Sequence, residues 1–412
     1  MRRLIVNIGE LATPFGRNAW GGADQKKRVE RYRHAWLLLE DGKVLSLGTG
    51  DPGGIARVPG TEILDAGGLL VTPGLVDAHT HLIFGGYRQN ELALKLQGVS
   101  YLEILARGGG ILSTVSATRR AGSEELFEKA RKDLDEMLKH GVTTVEIKSG
   151  YGLDRETELR QLRIIKRLQN ELPQDLVATY LGAHALPPEY KDNREGYISL
   201  MCEEIIPEIA REGLAEFCDV FCESGVFTAE ETRRILEAGK KYGLRPKIHA
   251  DEIDAIGGSE LSKEVGAVSC EHLIRCRESG IQAMKEAGTV ACLLPATSFY
   301  LGADYAPARA MIEAGVPVAM ATDYNPGSCP SLNLQFVMNL GCLKYKLTPE
   351  EALTAVTLNA AAAIGRADRL GSLEPGKQAD LVLWDAPDLE YIFYRMGSNL
   401  VKTVMKNGEV TA

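Results

Sequence analysis

From about residue 141 onward the chain alternates between two kinds of segment, and this alternation constrains its fold more than any other feature. Short apolar, β-branched runs recur: VTTVEIK (142–148), LVATYLGAH (176–184), FCDVFCE (217–223), RPKIHA (245–250), AVSCEH (267–272), TVACLLP (289–295) and VPVAMATD (316–323). With GLVDAHTH, which begins at Gly74, they make eight. Runs of this length and character fit buried strands. Helical patterns lie between most of them. SEELFEKARKDLDEMLKHG starts at Ser123, expected as its cap, carries apolar residues at helical spacing and stops at Gly141. TAEETRRILEAGKKYG repeats the form, with Thr228 as cap, Glu231 three residues on and Gly243 as stop. ARAMIEAGV is a shorter version.

Eight buried strands alternating with helices predict an α/β fold, a parallel (β/α)8 barrel of the TIM type, with a doubly wound open sheet as the alternative. Two observations favour the barrel. No glycine fingerprint follows the first strand. Polar residues also recur at the carboxyl ends of the strands, the face where barrel active sites are built: His79, His81, Lys148, His184, Glu223, His249, His272 and Asp323.

The two ends of the chain have a different texture. RLIVNIG, HAWLLLEDGKVLSLG and TEILDAGG are short strand-like runs, with a hairpin signal at Asp41-Gly42. ADLVLWD and VKTVMKNGEV, with a turn at Asn407-Gly408, resemble them. The expected organisation is a small composite β-sandwich domain from residues 1–70 and 374–412, with the barrel, 71–373, inserted between its halves.

Bulk properties narrow the function. The 412 residues are 45% hydrophobic and 25% charged, an ordinary globular mix, and no apolar run approaches the ~20 residues a membrane span needs. The net charge is −9 with no basic block, which argues against nucleic acid and anionic membranes as partners. A small anionic substrate would need its own local cation. The apolar stretch in MRRLIVNIGELATPFG is too short for a signal peptide, and none of the eight cysteines forms CxxC. Reduced thiols in a cytoplasmic protein are expected, with Cys270 and Cys329 as minor candidates for a catalytic or metal-binding role.

Of seven histidines, His34 and His140 fall away from the strand ends and read as structural. The other five converge on one barrel face. His79 and His81 are two apart at the end of an extended run, so their rings aim to the same side. Neutral imidazole is the commonest side-chain metal ligand. His249 from the fifth strand and Asp323 from the eighth complete a set of four around one divalent ion. Three histidines and a carboxylate suit Zn or Fe better than Mg. A bound divalent ion lowers the pKa of its water to about 7 and so supplies a nucleophile at neutral pH. Asp323 is also placed to take that water's proton. Glu252, three residues after His249, fits a general acid/base, although read alone it is equally a helix-start carboxylate. His272 fits a hydrogen-bonding partner of the nucleophile or a developing oxyanion, or else a buried supporting histidine. Lys148 raises the rival of a two-metal site bridged by a carbamylated lysine. Its place at the end of the second strand speaks against bridging, so one metal per chain is expected. The glycine run ARGGGI (106–111) lacks the Gly-Lys-Ser/Thr of a phosphate loop and is expected to be a mobile lid.

These residues carry a family likeness. The HxH after strand one, His on strand five, Asp on strand eight and the composite β-domain resemble the amidohydrolase superfamily. The motifs FGGYRQNELALKLQGVSYLEILARGGGI, EIKSGYGL, LGAHALPPEY, FCDVFCESGVFT, KIHADE and ATDYNPGSCPS together are similar to the imidazolonepropionase family, in register from about residue 70 through 375. The resemblance implies hydrolysis of the cyclic amide of 4-imidazolone-5-propionate to N-formimidoyl-L-glutamate in histidine degradation. It implies zinc or iron at His79, His81, His249 and Asp323, and a homodimer. It places substrate contacts on Arg88, Tyr151, His184, Glu252, Asn325, Gly327 and Ser328, and His272 beside the nucleophile. Arg88 is then the local cation that an acidic protein needs for an anionic substrate, able to hold a carboxylate through two charge-assisted bonds. Two alternatives remain at this stage. One is an amidohydrolase acting on a different heterocycle, such as a purine or triazine, with no need of Arg88 or Tyr151. The other is a non-catalytic metal-binding protein, which leaves the Glu252–His272 pair without a purpose.

Overall fold

The computed structural model describes residues 1–99, 103 and 108–412. The eight expected runs form one parallel sheet in chain order: Leu75–Asp77, Val142–Lys148, Asp175–Ala183, Phe217–Cys222, Arg245–Ala250, Ser269–His272, Val290–Leu293 and Val318–Met320. The first and last strands meet at their carboxyl ends. Asp323 N donates to His79 O at 3.0 Å and His81 N to Tyr324 O at 2.9 Å. One turn below, the buried Asp77 carboxylate accepts from the backbone N and the hydroxyl of Thr322 at 3.1 and 2.6 Å. These bonds bring the sheet nearly round into a barrel.

The first strand ends at Asp77, so the two histidines of HxH follow it rather than lie in it. Their common direction survives because the chain stays extended: Thr80, between them, bridges Tyr324 of the eighth strand's exit. Several other strands also stop short of the sequence expectation. His184 and Glu223 lie one residue past the last ladder residue, and Asp323 three past it. The chain leaves the ladder there to turn side chains over the barrel mouth.

The helix Ser123–Lys139 buries Leu126, Phe127, Ala130, Leu134, Met137 and Leu138, one stripe at helical spacing. Ser123 is not its cap. Gly122 occupies that position and Ser123 is the first helical residue, with no side-chain capping bond. The helix Ala229–Lys241 does start as expected, with reciprocal bonds between Thr228 and Glu231.

Both ends of the chain join in a separate mixed sheet. Its central strand, Arg2–Pro14, pairs antiparallel with Val29–Glu40 and parallel with Thr61–Asp65 and Leu70–Pro73. Leu70–Pro73 in turn pairs with Leu381–Trp384, and Val401–Lys406 follows. The two hairpin signals are real turns. Asp41-Gly42 and Asn407-Gly408 have φ of 49° and 78°, and of 51° and 76°, the left-handed pair that a two-residue hairpin requires.

Candidate metal centre and active site

Four ligand atoms converge at the barrel mouth. His79 Nε2 lies 3.2 Å from His81 Nε2, and His81 Nε2 lies 3.5 Å from His249 Nε2. Asp323 Oδ1 is 3.4 Å from the Nε2 atoms of both His79 and His81. Ligands held ~2.0–2.1 Å from one tetrahedral ion stand about 3.3–3.4 Å apart. The spacings among His79, His81 and Asp323 therefore suit a cation site, and His249 stands beside His81. Asp323 Oδ1 is buried with no hydrogen-bond donor, while its Oδ2 accepts from Thr297 at 2.6 Å. A buried acceptor left without a donor among imidazole nitrogens fits a cation site.

The far nitrogens of two of these histidines meet carboxylates. His249 Nδ1 is 2.9 Å from Asp219 Oδ2, and His79 Nδ1 contacts Glu271 Oε2. Such pairs fix the tautomer that leaves Nε2 for the ion. Below them lies a fully buried charge cluster. Lys148 reaches Glu146, Asp219 and Glu271 at 2.9, 2.9 and 3.1 Å. Lys247 reaches Glu146 and Glu271 at 2.7 and 3.0 Å. Burial alone would raise Glu271, yet the two lysines and His79 hold it well below the usual carboxylate range. Lys148 is thus engaged by three carboxylates, and its ammonium stays charged because they outweigh its burial.

Asp219, Glu271, Glu146 and Lys247 were not among the sequence candidates. A signal was present, since each is a charged residue inside an apolar strand. Lys247 and Glu146 also sit two residues before His249 and Lys148, on the same inward face. Glu271 is harder to see, because it precedes His272 and alternation would send the two to opposite sides. A left-handed backbone at His272, φ 69°, breaks the alternation. Leu273, Asp251 and Asp323 share this conformation at φ 61°, 54° and 56°. Non-glycine residues adopt it at a cost, and such strain gathers at functional sites.

Glu252 Oε2 lies 3.6 Å from His272 Nε2. Burial pushes Glu252 up to about 8, reinforced by the negative charges of Asp323 and Glu223. Burial likewise holds His272 well below its ordinary value, despite the nearby Asp323 carboxylate. Glu223 accepts from the backbone N atoms of Ile253 and Asp254 at 2.9 and 3.0 Å and so pins the loop that carries Glu252. His184 stacks on His81, ring centres 4.9 Å apart and planes 14° from parallel, and its Nδ1 meets Gly150 O at 3.0 Å. Tyr151 packs 5.4 Å from the His184 ring and 5.9 Å from His81. Beyond Asp323, the Asn325 side chain accepts from Gly327 N and Ser328 N at 2.8 Å each and donates to Asp323 O at 2.7 Å. The Arg88 guanidinium lies against this turn, since a Cβ built on Gly327 would fall 1.2 Å from its Nη2.

Every sequence candidate on this face is therefore in one neighbourhood. Cys270 and Cys329 are buried thiols whose burial raises them far above neutrality, which suits packing rather than chemistry. The expected lid at 106–111 begins with two residues outside the described ones. Among the described residues no helix is long and apolar enough to cross a membrane.

A barrel mouth carrying a His-rich, carboxylate-closed metal centre defines a class of hydrolase, and the amidohydrolase family model matches residues 70–411, so the chain belongs to that metal-dependent family. The fold agrees: an E. coli guanine deaminase superposes with a TM-score of 0.75 at 16% identity, covering 100% of this chain and 99% of that one. Within the family the chain falls among the imidazolonepropionases. It is 51% identical over 409 residues to the imidazolonepropionase of Alkaliphilus metalliredigens, covering 99% of this chain and 97% of that one. It is 52% identical over 408 residues to that of Alkaliphilus oremlandii, covering 98% and 97%.

Proposed function

We propose that this chain hydrolyses the cyclic amide of 4-imidazolone-5-propionate to N-formimidoyl-L-glutamate, a step of histidine degradation. The observation that carries this reading is the near full-length identity to imidazolonepropionases at about half of all positions. The donor set supports it. His79, His81, His249 and Asp323 would hold one divalent ion, and three imidazoles with a carboxylate suit Zn or Fe. Such an ion acts as a Lewis acid and brings water near its pKa at neutral pH.

The chain's own residues do the rest. Arg88 receives the propionate carboxylate through paired N–H donors. Tyr151 and His184 flank the ring and exclude water. The turn held by Asn325 presents Gly327 and Ser328 to the substrate's polar edge. Water adds to the ring carbonyl carbon, the carbon–nitrogen bond breaks, and the nitrogen takes a proton. Glu252, whose Oε2 lies 3.6 Å from His272 Nε2, suits delivery of that proton. His272, neutral through burial, offers Nε2 beside Glu252 to the oxygen that gains charge. Asp323 accepts the proton of the attacking water. In this account the barrel, 71–373, performs the reaction, and the domain of 1–70 and 374–412 supports it. A cytoplasmic homodimer completes the reading, from the cysteine usage and the family likeness.

The test is a coupled assay. Imidazolonepropionate is generated in place from urocanate, and its ultraviolet absorbance is followed after the protein is added. Loss of absorbance with formimidoylglutamate as product is expected. Turnover of a purine or triazine in its place would assign a different ring.

A further inference from the structure

The reaction scheme uses Arg88 but not the residue before it. Tyr87 is 49% exposed, yet its hydroxyl is tied down, 3.0 Å from the hydroxyl of Tyr324. Tyr324 in turn donates to Asp133 Oδ2 at 3.1 Å. Asp133 pairs with Lys129 at 2.7 Å, one turn earlier on the helix Ser123–Lys139. Lys129 Nζ donates to Leu82 O at 2.9 Å and sits 3.2 Å from the centre of the Phe84 ring. One turn of an outer helix therefore grips two loops at once. One is the segment that leaves the first strand with the two histidines. The other is the segment that follows Asp323.

The same two loops meet a second time, one residue on, where Arg88 lies against Gly327. Tyr87 rests on Tyr324 and Arg88 on Gly327, so consecutive residues of one loop are clasped at two points of the other. The clasp adds to an anchor at Gly85, whose N donates to Thr118 Oγ1 at 2.9 Å. Gly85 and Gly86 precede the clasp, and Gly86 has a φ of 72° open to few other residues. Holding a long arginine side chain in place beforehand lowers the ordering cost of binding.

We propose that Tyr87, Tyr324 and Asp133 are positioning residues that hold Arg88 at the station where it meets a carboxylate. The preference for an acid-tailed ring over a neutral one is then set in part from the outer helix. This inference rests on the reading of Arg88 as the carboxylate clamp.

The experiment measures direct binding to metal-loaded enzyme by calorimetry with two probes, imidazole-4-propionate and 4-propylimidazole, which has no charged tail, alongside kcat from the coupled assay. The variants are Tyr87→Phe, Tyr324→Phe, Arg88→Ala and the double variant Tyr87→Phe/Arg88→Ala. Both phenylalanine variants keep the ring and lose only the hydroxyl. Each should weaken the acid by about threefold to tenfold, the worth of one hydrogen bond. Binding of the neutral probe and kcat should stay within about twofold, under ~0.5 kcal/mol, because neither hydroxyl touches the ring or the metal ligands. In the Arg88→Ala background the loss of the Tyr87 hydroxyl should add nothing further. Equal weakening of both probes, or a full additive effect in the double variant, overturns the inference. If Arg88→Ala selectively weakens the acid while Tyr87→Phe does not, the inference alone fails. If Arg88→Ala leaves the acid as tightly bound as before, the clamp reading fails and the inference goes with it.

Discussion

At the scale of single residues, the site depends on which nitrogen of each histidine is free. Asp219 engages His249 through Nδ1 and also accepts from the His249 backbone N at 3.2 Å. Asp219→Asn keeps the shape and removes the charge. It should weaken metal affinity by about 10–100-fold, measured by competition with a chelator. Glu252 makes a second claim, about pH. Its carboxyl is raised from an ordinary 4.5 to about 8 in the metal-free protein, chiefly by burial. The unfolded chain ionises this group near 4.5, whereas the folded one keeps the proton. Its contribution to stability is therefore intact at low pH and is lost as pH rises from 4.5 through about 8. The slope is at most about 1.4 kcal/mol per pH unit. Metal-free Glu252→Gln should lose less thermal stability between pH 5 and 9 than the metal-free parent. Parallel Tm curves would contradict the raised carboxyl.

At the scale of elements, the two outer helices separate a cue from its use. Thr228→Ala removes a capping box that is present and should cost about 1 kcal/mol in urea unfolding. Ser123→Ala removes a residue that only looks like a cap and should stay within about 0.5 kcal/mol. The stretch Gly122-Ser123 holds two residue types that can start a helix, and the sequence signature does not choose between them. The strands were legible because each is a buried apolar run between helical patterns, and Val142–Lys148 and Arg245–Ala250 match residue for residue. The other ends were less legible. The chain leaves the ladder early at His184, Glu223 and Asp323, where tertiary contacts at the barrel mouth override strand propensity. Site residues on loops were found through their chemistry. Asp219 and Glu271 were not among the sequence candidates although each is a charged residue inside an apolar strand, and Glu271 was further obscured by the left-handed turn at His272.

At the scale of the whole molecule, the barrel interior departs from the usual stack of branched apolar layers. Lys148 and Lys247 sit among Glu146, Asp219 and Glu271, contributed by strands two, four, five and six. This layer sits under the histidines, and its three carboxylates are engaged by two ammonium groups. Removing either lysine would strand a buried charge, which is far costlier than replacing a whole ion pair. The fold thus separates a charged floor, a cluster of histidine nitrogens above it, and the loops that carry Arg88 and Glu252.

The central claim is that one ion at His79, His81, His249 and Asp323 makes this barrel an imidazolonepropionate hydrolase. Its most direct test is to strip the protein of metal and titrate Zn or Fe back in the coupled assay, reading bound ion and activity together. The account predicts no turnover in the stripped protein and a rise that levels off at one ion per chain. Full activity without metal, or a plateau only at two ions, would contradict it.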